Sequence, residues 1–393
     1  MSFHFWIFAN KKVPQNLYIK AFESVSSLGS SSTQIWNSYL EGKPKFSQKE
    51  IKNTSLWVSQ LDQTSKKQIQ ALKKESKVYK NLDNSVLMLI YLAKKLKKNK
   101  HLNFLNTGVN LGSSRGATET LESAYKEFFT TGQVPSLTSP TTTLGNLSSW
   151  VAQELLSEGP TISHSITCST ALHALLNANA WLQAGLAKSF VIGGSEAPLT
   201  DFTIAQMKAL KLYSSETSKW ACRSLDLKKT SNTLVLAEAS NLFVIDQEPE
   251  NAIAQIKGLG YATEKIAHNI SISKDALCFQ KSMKMALQDA HLESVDAIVL
   301  HAPGTVRGDF AELEAIQKVF YKSPFLTTNK FMMGHSFGAS GGMSLEMAIL
   351  MLMHQKVIEN PFYTHQNIPQ KLDHIMVNAV GFGGNACSVI VGI

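Results

Sequence analysis

Cys168 stands in the stretch SITCSTALHALLNANAWLQAG, residues 165–185, where a short β-branched run gives way to a helix. Leu172, Leu175, Leu176 and Leu182 fall at helical spacing, and Ala171, Ala174, Ala178 and Ala180 let neighbours pack closely, as in a helix buried at a domain centre. The first turn of such a helix carries free N–H groups and partial positive charge. A thiol placed there is expected to lose its proton more readily and to act as a nucleophile. The same N–H groups can hold a developing oxyanion. Cys222, Cys278 and Cys387 lack this placement and read as buried, inert cysteines. His164 and His173 flank Cys168 at a spacing that matches no common metal-ligand pattern, and both read as structural.

Three further stretches hold side chains of the same chemical kind. In VDAIVLHAPGTVRGDFAELEAI (295–316), His301 follows an apolar run and is expected at the carboxyl end of a central strand, where open α/β folds collect their sites. Asp309 and Glu312 fall at the start of the next helix. In TTNKFMMGHSFGASGGMSLEMAILML (327–352), Lys330 and His335 lie five apart in a loop rich in glycine, followed by a buried helix. In NAVGFGGNACSVIVGI (378–393), Gly381, Gly383 and Gly384 surround Phe382; a phosphate-cradling loop is the rival reading, weakened because a strand and not a helix follows.

The elements that must position these residues read as α/β. Short β-branched runs, such as KSFVIGGSEAP and NACSVIVGI, alternate with helical patterns over 64–99, 104–129 and 139–159. The pattern restarts near residue 250 with NAIAQIKGLGYATEK, so the chain divides into halves, 1–250 and 251–393, with no Pro/Gly-rich linker between them. Four scattered cysteines without a CxxC pair argue against a structural zinc or a disulfide framework and fit a reducing compartment. The start, MSFHFWIFANKKVPQN, has too short an apolar run for a signal peptide, and no run of 18 apolar residues is present, so a cytoplasmic protein without a membrane span is expected. The net charge of +8 is concentrated in LKKESKVYK (72–80) and AKKLKKNKH (93–101). These runs read as solvated helix faces or as a surface that steers an acidic protein partner; without aromatic interleaving they do not read as a nucleic-acid site.

Taken in order, the four stretches resemble the β-ketoacyl-ACP synthases of the thiolase-like condensing-enzyme superfamily, over residues from about 17 to the end. TCSTA matches the family's nucleophilic cysteine. HAPGTVRGDFAE keeps His301, Gly304, Thr305, Asp309 and Glu312 in register with its HGTGT motif, Lys330 and His335 match its lysine and GHxxGA(A/S)G loop, and residues 381–384 match its GFGG loop. Departures are Ala302 and Pro303 in place of the family's Gly and Thr, and a degraded middle motif, CRSLDLKKTSNTLVLAEAS (222–240), which keeps Arg223, Asp226 and Glu238 but has two extra residues and no clear second arginine. The N-terminal motif is reduced to AFESVSSLG. The text around Ser113, Ser139 and Ser195 looks like the divergent synthases of aryl-polyene or flexirubin-type pigment pathways.

The resemblance implies a five-layered αβαβα fold of two similar halves and a decarboxylative Claisen condensation without a cofactor or metal. It makes Cys168 the acyl carrier, His301 and His335 the neutral donors to the enolate, and the N–H groups of Cys168 and Phe382 the oxyanion hole, with Phe382 also the gate. Lys330 would order its loop against an acid such as Glu346. Thr305 would hold the pantetheine arm, with Gly381 and Gly383 beside the substrate. The implied partners are an acyl carrier protein and a second chain, as a homodimer or as a heterodimer with a related ketosynthase or chain-length factor. The alternatives are a catalytically silent chain-length-factor-like subunit and a degradative thiolase or another acyltransferase; the presence of all three of Cys168, His301 and His335 argues against the first, and the position of Cys387 inside a strand pattern against a thiolase.

Overall fold

The computed structural model describes residues 17–51, 54–265, 272–364 and 366–393. The stretch 1–16, which carries the expectation about a signal peptide, lies outside the described residues. Ten strands form the main sheet. One group of five comprises β1 (Leu17–Val25), β4 (Thr107–Gly112), β5 (Thr161–His164), β6 (Ser189–Glu196) and β7 (Ala239–Asp246), with β2 (Ser47–Ile51) and β3 (Thr54–Val58) set apart as a hairpin. The other comprises β8 (Ala254–Thr263), β9 (Ala297–Val299), β10 (Phe325–Thr327), β11 (His374–Gly381) and β12 (Asn385–Gly392).

The two groups repeat one plan. The strand order is β10-β9-β11-β12-β8-β1-β7-β6-β4-β5, so β1 and β8 meet at the centre and the order reads the same outward on either side. In each group the first strand runs antiparallel to the last, the last antiparallel to its other neighbour, and the remaining pairs parallel. The parallel strands β4 and β9 are buried along their whole length, which is why β9, AIV, reads as an apolar run and not as an alternation.

Five layers follow from which residues share a core. Between the two five-stranded groups lie the cysteine helix (Thr170–Gln183) and the helix Ser340–His354, whose Leu172, Leu175, Met343 and Ile349 share one apolar cluster with Phe190 and Val377 of the strands. Helices Asn84–Leu96 and Asn146–Leu155 cover the outer face of the first group. Helices Leu277–Ala290 and Val306–Val319 cover the outer face of the second. The two central helices cross closely because their contact residues are small: a Cβ on Gly341 would lie 2.8 Å from Leu172 Cγ.

Local chemistry divides two stretches that read as continuous helix. Residues 64–99 form Gln63–Glu75 and Asn84–Leu96, each begun by an aspartate cap: Asp62 Oδ1 accepts from the N–H groups of Thr64 and Ser65, and Asp83 Oδ1 from that of Ser85. Residues 139–159 form Thr138–Thr142 and Asn146–Leu155, parted at Thr143–Gly145. No helix among the described residues is long and apolar enough to cross a membrane.

Candidate active site

Cys168 does not begin the α-helix itself. It is the middle residue of a single tight turn, Thr167–Ser169, that leads into the cysteine helix. Thr167 holds a left-handed φ of 47°, a conformation costly for a β-branched residue and kept here by local hydrogen bonds. Thr170 Oγ1 donates to Thr167 O at 2.6 Å and accepts from Ile166 N at 2.9 Å. The turn packs directly on the end of β11, where a Cβ on Gly381 would overlap Thr167 Oγ1 and lie 2.6 Å from Ile166 O. The glycine loop and the cysteine turn therefore meet at one point, with Thr167 Oγ1 3.5 Å from Phe382 O.

His301 lies just past β9, between β10 and β11 in the sheet, at the carboxyl end its sequence position suggests. Glu312, expected at the start of the next helix, turns its buried carboxylate back into the loop: Oε1 accepts from His301 N at 3.0 Å and Oε2 from Ala302 N at 2.9 Å. Asp309 does the same one step on, accepting from Gly304 N at 3.1 Å and pairing with Lys229 Nζ at 2.6 Å, both side chains buried. Lys229, the cation of this buried pair, lies within the degraded middle motif. Ala302, with φ of 23°, is a second strained residue at the site.

His335 is fixed by its backbone, donating to Val235 O at 2.8 Å and accepting from Ala237 N at 3.1 Å, while its Nδ1 lies 3.1 Å from Ser340 Oγ. Its ring meets that of His301 edge-on, with centroids 5.2 Å apart and planes at 86°. Phe337, two residues on, has φ of 40° and is the third strained residue. Cys168, His301, His335, Thr305, Gly381 and Phe382 all line one cavity of about 1070 Å³, with Phe337 and Met207 beside them. Gly383, φ of 93°, turns the loop but does not line the cavity. Thr305 does so with its hydroxyl oxygen already accepting from Gly308 N at 3.2 Å, as the cap of the helix Val306–Val319.

Two expectations are corrected. Lys330 does not face Glu346. It is buried, donates to Ser344 Oγ at 2.7 Å, and the acid acting on it most strongly is Glu312; burial lowers it to about 8. Glu346 sits elsewhere, accepting from Ser24 Oγ in the core beside Tyr39, and burial raises it to about 7. The offset is physical: Ser344, Lys330's partner, and Glu346 are two apart on a helix, a spacing that turns side chains to different faces.

The second correction concerns the thiol. Desolvation, with Glu196 adding to it, pushes Cys168 up to about 12, while Arg115 and Lys330 pull it down. A second effect of burial matters as much. It drives His301 well below its ordinary value and His335 down to about 3, so both imidazoles are neutral near pH 7. His164 Nε2 and His173 Nδ1 lie 3.1 Å from the carbonyls of Thr170 and Ser169, against the backbone and away from the cavity. Cys222, Cys278 and Cys387 are buried and do not line it.

Glu196 and Arg115 are site residues that sequence reasoning missed. Glu196 ends β6, is fully buried, and its Oε1 accepts from the N–H groups of Ser114 and, at 3.0 Å, Gly338. Its Oε2 has no partner among the described residues. The available signal was an acid closing the apolar run FVIGGSE at the carboxyl end of a strand.

A cysteine on a tight turn, two neutral histidines and a glycine-loop wall, set between two equivalent α/β halves, define a condensing enzyme of thiolase-like fold. Residues 18–251 match the family model described as "Beta-ketoacyl synthase, N-terminal domain" and residues 253–363 that described as "Beta-ketoacyl synthase, C-terminal domain". The chain belongs to the β-ketoacyl synthase family. It is 28% identical over 305 residues to "3-oxoacyl-[acyl-carrier-protein] synthase 2" of Staphylococcus aureus (strain COL), covering 71% of this chain and 73% of that protein. It is 31% identical over 254 residues to "3-oxoacyl-[acyl-carrier-protein] synthase 1" of Buchnera aphidicola subsp. Acyrthosiphon pisum (strain APS), covering 59% of this chain and 61% of that protein. Among solved structures, its fold is similar to "Ketosynthase (ApeO) in Complex with its Chain Length Factor (ApeC) from Xenorhabdus doucetiae", with TM-score 0.81, 19% identity and coverage of 96% and 98%. It is also similar to "AntDE:AntF (apo): type II PKS acyl-carrier protein in complex with its ketosynthase bound to the hexaketide", with TM-score 0.83, 18% identity and coverage of 97% and 100%.

Proposed function

We propose that this chain is a β-ketoacyl-ACP synthase that joins an acyl group held on Cys168 to a malonyl group with loss of CO₂. The observation that carries the reading is that Cys168, His301 and His335 line one cavity and that both histidines are neutral there. In the first half-reaction the Cys168 sulfur attacks the carbonyl of a thioester; the new C–S bond replaces the old one, and the thiol proton leaves with the departing pantetheine sulfur. Because burial holds the thiol neutral, the proton must be taken within the cavity, and a neutral imidazole is the acceptor on hand. The N–H groups of Cys168 and Phe382 receive the oxyanion, a role supported by the close packing of Gly381 on Thr167, the residues just before them.

In the second half-reaction the malonyl C–C bond breaks, CO₂ leaves, and the electron pair stays on the remaining carbon as an enolate. N–H donors from His301 and His335 stabilise its oxygen. This role needs the His335 proton on Nε2, the tautomer in which Nδ1 accepts from Ser340 Oγ, 3.1 Å away. The carbanion attacks the acyl carbonyl on Cys168, a C–C bond forms, and the sulfur departs. The product is a 3-oxoacyl thioester two carbons longer.

The substrates are borne on acyl carrier protein and the working assembly is a dimer of ketosynthase-type chains. That part rests on the family and on the open edge strand β5, whose Ile162 is exposed. Elongation in an aryl-polyene-type pathway is the finer reading, and it rests on sequence context alone. The mechanism is tested by His335→Ala. It should still take an acyl group onto Cys168, yet release CO₂ from malonyl thioester about 10²–10³-fold more slowly, the size of losing one oxyanion donor. Equal rates of CO₂ release would remove the histidine pair from the reaction.

A further inference from the structure

The amino end of the first strand group carries a surface that the site does not use. The register sets Thr107 of β4 beside Ser189 of β6, Ser189 beside Asp246 of β7, and Asp246 beside Tyr18 of β1, so these residues mark one end of the fold. Cys168 follows β5 at the other end. Three leucines stand exposed at the amino end: Leu105 before β4, Leu156 after the helix Asn146–Leu155, and Leu186 before β6, at 49, 62 and 56% exposure. Backbone bonds tie them into one patch, Glu158 N donating to Leu105 O at 2.8 Å and Lys188 N to Asn106 O at 3.4 Å. Leu156 also closes its helix in the left-handed region, φ of 57°, where glycine or asparagine is the usual residue.

Free cations surround this patch. Lys97, Lys98 and Lys100 lie between the helix Asn84–Leu96 and β4, Lys188 lies just before β6, and all four are exposed. Lys97 Nζ donates to Glu154 O at 2.9 Å, which sets the lysine loop beside Leu156. Among the described residues none of the four has a carboxylate within ion-pair distance. The exposed acids at this end are Glu158, on the patch, and Glu248 and Glu250, past β7 beside Lys20. The chain also enters the fold here. β1 starts at Leu17, and the stretch MSFHFWIFANKKVPQN (1–16) precedes the family match, which begins at residue 18. That stretch holds Phe3, Phe5, Trp6, Ile7 and Phe8, then Lys11 and Lys12, and no acid. From Leu17 back to Phe8 the chain can reach up to about 30 Å. The three strand spacings from β1 to β4 come to only about 14 Å.

We propose that the N-terminal segment and this end of the fold together bind an anionic lipid surface. The aromatic residues of the segment and the exposed leucines enter the headgroup boundary, and Lys97, Lys98, Lys100 and Lys188 meet the lipid phosphates. Aromatic side chains favour that boundary, and clustered lysines are drawn to an anionic leaflet. Each part needs the other: the apolar run is too short to span a bilayer, and stable anchoring takes two signals, one apolar and one basic. An acidic protein would satisfy the lysines but would leave the leucines and the aromatic segment in water, so lipid is the better fit. Glu248 and Glu250 turn the contact toward the β4 side. Bound in this way, the protein keeps the cavity around Cys168 on the side away from the lipid. The inference holds whatever reaction that cavity performs.

The test is sedimentation of the full chain with vesicles of phosphatidylcholine, with and without phosphatidylglycerol. The native chain is expected to sediment with the phosphatidylglycerol vesicles and less with phosphatidylcholine alone. Trp6→Ser/Phe8→Ser should weaken binding to both vesicles by about tenfold or more, the scale of losing an apolar anchor. Lys97→Glu/Lys98→Glu/Lys100→Glu should weaken binding by about tenfold or more to the phosphatidylglycerol vesicles alone. Leu105→Ser/Leu186→Ser, on exposed residues, should weaken binding to both by less. All three variants should alkylate at Cys168 at the native rate without vesicles, which shows that they are folded. No sedimentation of the native chain would overturn the proposal; if Trp6→Ser/Phe8→Ser then lowered the denaturation midpoint, the segment would instead cover the leucines of its own chain. Native-like binding by the Trp6/Phe8 variant would also overturn it. Native-like binding by both the lysine and the leucine variants would remove this end of the fold from the contact and overturn the assignment of the surface.

Discussion

The two halves use one device twice. Each sends a central helix into the middle layer through a single tight turn, Thr167–Ser169 before Thr170–Gln183 and Phe337–Ala339 before Ser340–His354. Each turn opens on a residue in the left-handed region, Thr167 and Phe337. Each packs against a strand end of the opposite half through glycine, Gly381 on Thr167 and Gly194 on Gly338. The residue in the middle of the turn differs: Cys168 in one half, Gly338 in the other. In the first half the turn faces a cavity. In the second, Gly338 N is bound by Glu196, and a Cβ there would lie 2.8 Å from that carboxylate. One copy of the turn presents a reactive group and the other, filled with backbone, presents His335 just before it. The comparison teaches that a repeated scaffold becomes a site when its two equivalent corners are loaded with different side chains.

The largest effect on this comparison comes from the tie between the halves. Lys229 belongs to the first half and Asp309 to the second, and their buried pair also anchors Leu225 N and Gly304 N. Lys229→Met should destabilise the fold by about 3–5 kcal/mol, because it strands a buried carboxylate. Chemical denaturation reads this, and the double variant Lys229→Met/Asp309→Leu should recover part of the loss. Next come the paired glycines. Gly381→Ala should cost about 1–3 kcal/mol by overpacking and slow acylation of Cys168, since it pushes on the nucleophile's own turn. Gly338→Ala should destabilise by a similar amount while altering the histidine step more than acylation. If both changes slowed the same step, the two turns would not have separate duties.

The smallest effect is a titration. A thiol raised to about 12 is almost wholly neutral at pH 7, and its reactive thiolate fraction grows about tenfold per pH unit until the pKa is reached. Alkylation of Cys168 by iodoacetamide in the free protein should therefore climb steadily from pH 7 to 10. A plateau below pH 8 would mean that the helix head, and not burial, governs this sulfur. The histidines have the opposite sign: both are lowered, so they stay neutral as pH falls through 6.5, and no loss of CO₂ release is expected from their charging between pH 8 and 6.

Much of the site was legible because its side chains come with local signatures: small residues after Cys168, an apolar strand before His301, dense glycine after His335. The fold class was legible for the same reason, as strands buried on both faces leave continuous apolar runs. What escaped depends on long-range packing. Nothing near Glu196 or Arg115 in the chain reports that the end of β6 and the loop after β4 both bring a charge to bear on the cysteine. The hairpin β2–β3 lies in a half-exposed stretch, SQKEI paired with TSLWV, whose sequence carries no strong alternation to announce a strand. Glu346 does not meet Lys330 because spacing along the helix, not proximity in sequence, decides which buried side chain faces it. The placement of Cys168 at a helix head can be read from sequence, whereas the burial that raises its pKa cannot.

The most direct test of the account is intact-protein mass spectrometry of the native chain and Cys168→Ala after incubation with acyl-ACP, followed by addition of malonyl-ACP and weighing of the carrier-bound product. The account predicts an acyl adduct on the native protein alone, discharged as a 3-oxoacyl chain two carbons longer. An adduct of equal yield on Cys168→Ala, or none on the folded native protein with any acyl group, would contradict it.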